Sequence, residues 1–150
     1  MSKMSSDGFK KVNKDELKTR LSEEQWRVTQ EKATEAPFTG VYDKHFEAGV
    51  YLCVCCEQEL FESETKFDAG CGWPAFNEVL ARERVRLVRD ESRDQVRTEV
   101  VCARCDAHLG HVFNDGPPPK RKRFCINSAS IVFRSVEERQ AKAARQASKE

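Results

Sequence analysis

No stretch of this sequence comes near the roughly 18 consecutive apolar residues that a membrane-spanning helix needs, and its start, MSKMSSDGFKK, lacks the hydrophobic segment of a secretory signal. A surplus of charge is missing too. Lysine and arginine number 26 against 25 acidic residues, a formal net charge of +1, so no whole-molecule field draws the chain onto nucleic acid or an anionic membrane. There is no internal repeat beyond a pair of cysteine motifs. What is left is a soluble protein expected in the cytoplasm, 39% hydrophobic and 34% charged, with mean hydropathy −0.70. Its 150 residues suit one compact domain.

Cysteine, by contrast, is plentiful. There are seven, an odd number, and a reducing compartment does not sustain structural disulfides, so metal ligation and redox chemistry lead. Cys53-Val54-Cys55-Cys56 and Cys102-Ala103-Arg104-Cys105 each contain a C-x2-C pair. Two such pairs predict a tetrahedral four-thiolate zinc site, because two intervening residues let the backbone turn and bring both sulfurs to one ion, about 2.3 Å away. With Cys53, Cys56, Cys102 and Cys105 filling every position, the expected zinc is structural, one per chain, with no place for water or substrate. Cys55 competes in principle with Cys53 or Cys56, but the spacing favours the outer two. Two disulfides are one rival use of these cysteines. A thioredoxin-like redox pair is another, and it wants a βαβ setting that the sequence does not supply.

Asn13-Lys14-Asp15-Glu16 and Ser22-Glu23-Glu24-Gln25 both fit the capping-box pattern. They predict two short helices, about 14–20 and 23–32, that pack on a sheet through Leu17, Leu21, Trp26 and Val28. From Pro37 onward, short apolar segments broken by turn residues predict antiparallel strands, at Val50–Val54, Val85–Arg89, Val96–Cys102 and Ser130–Phe133. The loop 115–119, Asp-Gly-Pro-Pro-Pro, leads through the basic run Lys120–Arg123 into another strand. The expected organisation is a polar tail over 1–12, a single domain over 13–134, and a charged tail or helix over 135–150.

Two chemistry-bearing thiols remain. Cys71 sits in Ala69-Gly70-Cys71-Gly72-Trp73-Pro74, where glycines keep the backbone accessible. Cys125 sits in Arg123-Phe124-Cys125-Ile126-Asn127-Ser128. In an extended segment Arg123, Cys125 and Asn127 share one side, and a cation two residues from a thiol favours the reactive thiolate. His108 and His111, three apart, would share a face in a helical turn and titrate near neutral pH.

These segments, with Pro37-Phe38-Thr39-Gly40, Asp106-Ala107-His108-Leu109-Gly110-His111-Val112-Phe113 and Asp115-Gly116-Pro117, resemble the type B methionine-R-sulfoxide reductases from about Leu21 to Phe133. Small departures are Phe124 where Tyr is common, Ala75 where Ser is common, and a proline-rich basic loop at 117–122. The resemblance implies a mainly β fold of two antiparallel sheets with N-terminal helices packed on them. It implies Cys125 as catalytic cysteine, Cys71 as resolving cysteine, and a pocket lined by Trp73, His108, His111, Asp115, Arg123 and Asn127. It also implies oxidised proteins as substrates and thioredoxin as reductant.

The residue types suit that chemistry. A sulfoxide needs a nucleophile at sulfur and a proton for its departing oxygen. A thiolate such as Cys125 answers the first need and a histidine the second, although both histidines could also ligate metal or bond structurally. Trp73 offers an apolar wall for the methyl group or plain core packing. Asp115 orients an imidazole or makes the Asp-Gly turn, and Arg123 and Asn127 hold pocket groups or pair locally. The basic run gathers anionic peptides, binds nucleic acid, or is a solvated loop, and it lacks the interleaved aromatics of a nucleic-acid platform. Two rival functions stay open: a non-catalytic zinc-stabilised binding module, and a thiol redox sensor.

Overall fold

A computed structural model describes residues 13–91 and 95–141 of the chain. The expected tail over 1–12 and the last part of the C-terminal tail, 142–150, lie outside the described residues, and 136–141 is helical. Helix α1 (Lys14–Arg20) begins where the Asn13 side chain accepts hydrogen bonds from the Asp15 and Glu16 backbone N–H groups. Helix α2 (Glu23–Glu31) begins in a reciprocal capping box between Ser22 and Gln25. These caps satisfy donors that a helix start leaves unpaired, which is why polar residues mark both starts. Helix α2 ends one residue sooner than expected because Lys32 turns into the left-handed region at φ 59°.

Nine strands follow among the described residues: β1 (Gly49–Cys53), β2 (Glu59–Glu62), β3 (Lys66–Phe67), β4 (Ala75–Phe76), β5 (Val85–Asp90), β6 (Arg97–Cys102), β7 (His108–Phe113), β8 (Arg123–Ile126) and β9 (Ile131–Ser135). They form two antiparallel sheets, ordered β2-β1-β9 and β3-β4-β8-β7-β6-β5. The expected mainly β fold with short helices is the one observed. Alternation divides β8. Phe124 and Ile126 join a core shared with Tyr51, Leu60, Phe61 and Ile131 of the smaller sheet, and Phe61 stacks on Phe76 at 4.4 Å. Leu17 and Val28 are buried as the helix pattern predicted, while Trp26 is only half-buried against the core. No methionine lies among the described residues, since Met1 and Met4 both precede them.

One expectation is overturned. His108 and His111 lie on strand β7, not on a helical turn. The segment is claimed by its neighbours, pairing with β6 on one side and β8 on the other. Gly110 permits the second pairing, since a Cβ there would sit 2.0 Å from the Cys125 carbonyl oxygen. In a regular strand, residues three apart face opposite ways. Here the register shifts between Val100, opposite Gly110, and Val101, opposite His108. The extra residue resets the alternation, and the two imidazoles meet edge to face at 5.6 Å.

Candidate active site and metal centre

Strand β1 of the small sheet and β6 of the large one run into turns of the same construction. Cys53 receives a hydrogen bond from Glu57 N and Cys102 one from Asp106 N, each at 2.8 Å. Glu57 and Asp106 both adopt the left-handed conformation, at φ 67° and 64°. Each turn therefore curls its own two sulfurs inward. The four ligand atoms of Cys53, Cys56, Cys102 and Cys105 lie within 4.8 Å of one another, so the cluster can hold a metal ion. An ion held there would tie the two sheets at one point. Arg20, at the end of α1, clamps the first turn by donating to the Val54 and Cys55 carbonyls at 3.0 and 2.9 Å. Cys55 is buried outside this cluster, with its sulfur accepting from Gln30 Nε2 at 3.4 Å.

The other two thiols meet on the far face of β8. Cys125 Sγ lies 3.0 Å from Cys71 Sγ, and all seven cysteines are free. Cys71 reaches it from a loop whose flanking glycines, Gly70 and Gly72, take φ 69° and 92°, values that a side chain would make costly. Strand pairing sets Ala75, Cys125 and His111 directly opposite one another across β4, β8 and β7, with Glu99 next in the row on β6. Directly opposed residues share a face, so His111 and Cys125 project to the same side. There they line a cavity of about 300 Å³ together with Trp73, Arg97, Arg123 and Asn127. Cys125 is buried, 9% exposed, but it lines this cavity and is not a member of the metal cluster.

Arg123 is tied down on two sides. Its Nη1 donates to Cys125 Sγ at 3.2 Å, while Nε and Nη2 donate to the Asp115 carboxylate at 2.7 and 3.0 Å. Phe113 backs the guanidinium, with its ring centroid 4.4 Å away. Asp115 thus orients a guanidinium, not an imidazole. The hydrogen bonds from Arg123 hold its carboxyl below the usual range.

The thiols ionise as a unit. The hydrogen bond with Cys125 brings Cys71 down to about 6, against the opposing effect of burial. A second charge beside that thiolate is disfavoured, so the Cys71 contact, reinforced by burial, holds Cys125 above its ordinary value while Arg123 pulls it down.

The histidines divide. His111 lines the cavity, and its Nε2–H donates to Asp90 Oδ2 at 2.8 Å. That carboxylate oxygen also accepts from Arg97 at 3.2 Å. His108 is 2% exposed and outside the cavity wall; its Nδ1–H donates to the buried Glu99 at 2.8 Å. Burial lowers its pKa against the pull of Glu99. Asn127 is fully engaged, accepting from Glu35 N at 3.1 Å and donating to the Leu109 carbonyl at 3.0 Å. Trp73 donates through Nε1 to the Glu35 carbonyl at 3.0 Å.

Sequence reasoning passed over Glu35, Asp90, Arg97 and Glu99. Glu35 is buried and accepts the N–H groups of Ser128 and Ala129, both at 2.9 Å. It thereby fixes the chain just after Asn127. The one local hint was the acid-base alternation Asp90 to Arg97, which only strand register could turn into a contact.

A family model described as "SelR domain" matches residues 21–135. The chain belongs to the SelR domain family. This SelR domain is 59% identical to "Methionine-R-sulfoxide reductase B1" of Drosophila melanogaster, over 81% of this chain and 64% of that protein. The chain spans just under two thirds of the fly protein's length. It is 52% identical to "Peptide methionine sulfoxide reductase MsrB" of Hahella chejuensis, over 85% of this chain and 91% of that one. It is 56% identical to the protein of the same name from Pseudomonas syringae pv. syringae, over 78% and 89%.

Proposed function

We propose that this SelR domain reduces methionine-R-sulfoxide in proteins to methionine, with Cys125 as nucleophile and Cys71 as resolving thiol. The observation that carries the reading is the Cys71–Cys125 contact at 3.0 Å beside a cavity walled by Trp73, His111 and Arg123. Cys125 passes its proton to the neighbouring Cys71 thiolate, and its own sulfur, now charged and held by Arg123, attacks the sulfoxide sulfur. The sulfoxide oxygen takes a proton and leaves with Cys125 as a sulfenic acid, releasing the thioether. With Nε2 committed to Asp90, His111 carries that proton on Nδ1, and His108 and Glu99 act as positioning residues beneath it. Asn127 fixes the end of β8 under the cavity, and Trp73 packs against the methyl group on sulfur. Cys71 then attacks the sulfenic sulfur, forming the Cys71–Cys125 disulfide and water. A dithiol protein of the thioredoxin kind reduces it by exchange.

The cluster of Cys53, Cys56, Cys102 and Cys105 suits zinc, which takes four thiolates tetrahedrally. A filled set leaves the ion structural, supplying cross-linking and no chemistry to the reaction. Free thiols and thiolate ligands fit the cytoplasm. No described helix is long and apolar enough to cross a membrane. The basic run is engaged within the molecule, Lys120 with Glu78 and Lys122 with Asn114, which favours a solvated loop over a nucleic-acid site.

The test supplies separated diastereomers of a methionine sulfoxide peptide with dithiothreitol and measures methionine formed. Turnover of the R form only is expected, and Cys125→Ser should abolish it. Cys71→Ser should keep dithiothreitol-driven turnover and lose the thioredoxin-driven reaction. Equal turnover of both forms, or an active Cys125→Ser chain, would overturn the reading.

A further inference from the structure

The two reactive sulfurs open onto different cavities. Cys125 lines the cavity of Trp73 and His111, which does not include Cys71. Cys71 lines a second cavity of about 480 Å³, with Phe67, Ala69, Asp115, Pro117 and Arg123, which does not include Cys125. Arg123 stands in both walls, reaching Cys125 on one side and Asp115 on the other.

We infer that the protein is two-sided: oxidised methionine enters at the Cys125 cavity, and the dithiol reductant docks at the Cys71 cavity, seating its thiolate over Cys71 between the 67–71 loop and the Asp115–Pro117 turn. This rests on the reading of Cys125 and Cys71 as a redox pair. In exchange, the incoming thiolate approaches opposite the sulfur that leaves. Once the disulfide has formed, Cys71 is the sulfur with an open cavity of its own away from the substrate side. The reductant's thiolate bonds to Cys71 Sγ, the Cys71–Cys125 bond breaks, and its electron pair goes to Cys125, where Arg123 Nη1 meets the new thiolate. The reductant's second thiol then displaces Cys71, which departs as a thiolate and takes up a proton. Two electrons pass from the dithiol to the disulfide, and the reductant leaves oxidised. Ala69 is exposed and makes the outer rim of this second cavity, so a bulky residue there obstructs docking without touching the substrate side.

The experiment separates the two half-reactions in the full chain. Ala69→Trp should leave single-turnover methionine formation by the reduced protein unchanged, and should slow thioredoxin reduction of the preformed disulfide by roughly tenfold or more. Thr34→Trp, on the substrate cavity, should do the reverse. A thioredoxin with only its attacking cysteine should be trapped as a mixed disulfide on Cys71, identified by peptide mass spectrometry. Trapping on Cys125, or an unchanged thioredoxin rate in Ala69→Trp, overturns the two-sided arrangement. Absence of methionine in the single-turnover step would instead sink the reductase reading itself.

Discussion

Arg123 meets three partners at once, a sulfur, a carboxylate and an aromatic ring, and a guanidinium so restrained is a fixed positive charge beside the thiols. Its neighbour pair titrates accordingly. Because the hydrogen bond with Cys125 brings Cys71 down to about 6, its thiolate is present above that pH and disappears below it. Iodoacetamide labelling of Cys71, followed by mass spectrometry, should therefore rise with a midpoint near 6. In Cys125→Ala, which removes the largest cause of the shift, the midpoint should move up toward the ordinary thiol value. A midpoint unchanged by that substitution would mean that the sulfurs do not interact. At this scale the sequence spoke clearly for Arg123, Cys125 and Asn127, because alternation on a strand is a local rule. Asp115 was expected to orient an imidazole or make a turn, and its guanidinium partner could not be read locally, since it lies across a loop.

Strand β7 shows where local pattern ends. A three-residue spacing of histidines reads as one helical face, yet neighbours on both sides make the segment a strand, and a bulge restores the shared face by another route. Strands β3 and β4 have two residues each, too few for alternation to show. Strands β1, β5, β6 and β9 and both helices, which carry their own periodicity and caps, were legible to within a residue or two. Gly110 gives this element its test. An added Cβ would press on the backbone of Cys125, so the strands must part. Gly110→Ala is expected to cost about 2–3 kcal/mol, as overpacking does, read as a lower urea midpoint, with loss of turnover. Unaltered stability would show that β7 and β8 have slack.

Across the whole molecule, the four-sulfur cluster draws its ligands from both sheets, two from the end of β1 and two from the end of β6. Withdrawing the ion with a strong chelator should lower the unfolding midpoint steeply, because metal binding and folding are linked. The ion should stay with Cys55→Ser, whose sulfur lies outside the cluster, as metal analysis of the purified variant would check. Acid acts elsewhere. Burial keeps His108 neutral beside Glu99, Lys32 and His111, whereas the same histidine in the unfolded chain protonates below about 6.5. The unfolded state then binds the extra proton, so stability falls as pH drops through 6.5 toward the lowered folded value. His108→Asn should flatten that part of the urea-midpoint curve between pH 7 and 5, within the span that linkage assigns to a titrating histidine. Finally, no methionine occurs in the sequence past position 4. Oxidation of that side chain turns an apolar packer into a polar one and loosens interiors. On the proposed function, a catalyst that mends this lesion carries no copy of that side chain past position 4, and peroxide strong enough to damage its clients finds none there to oxidise.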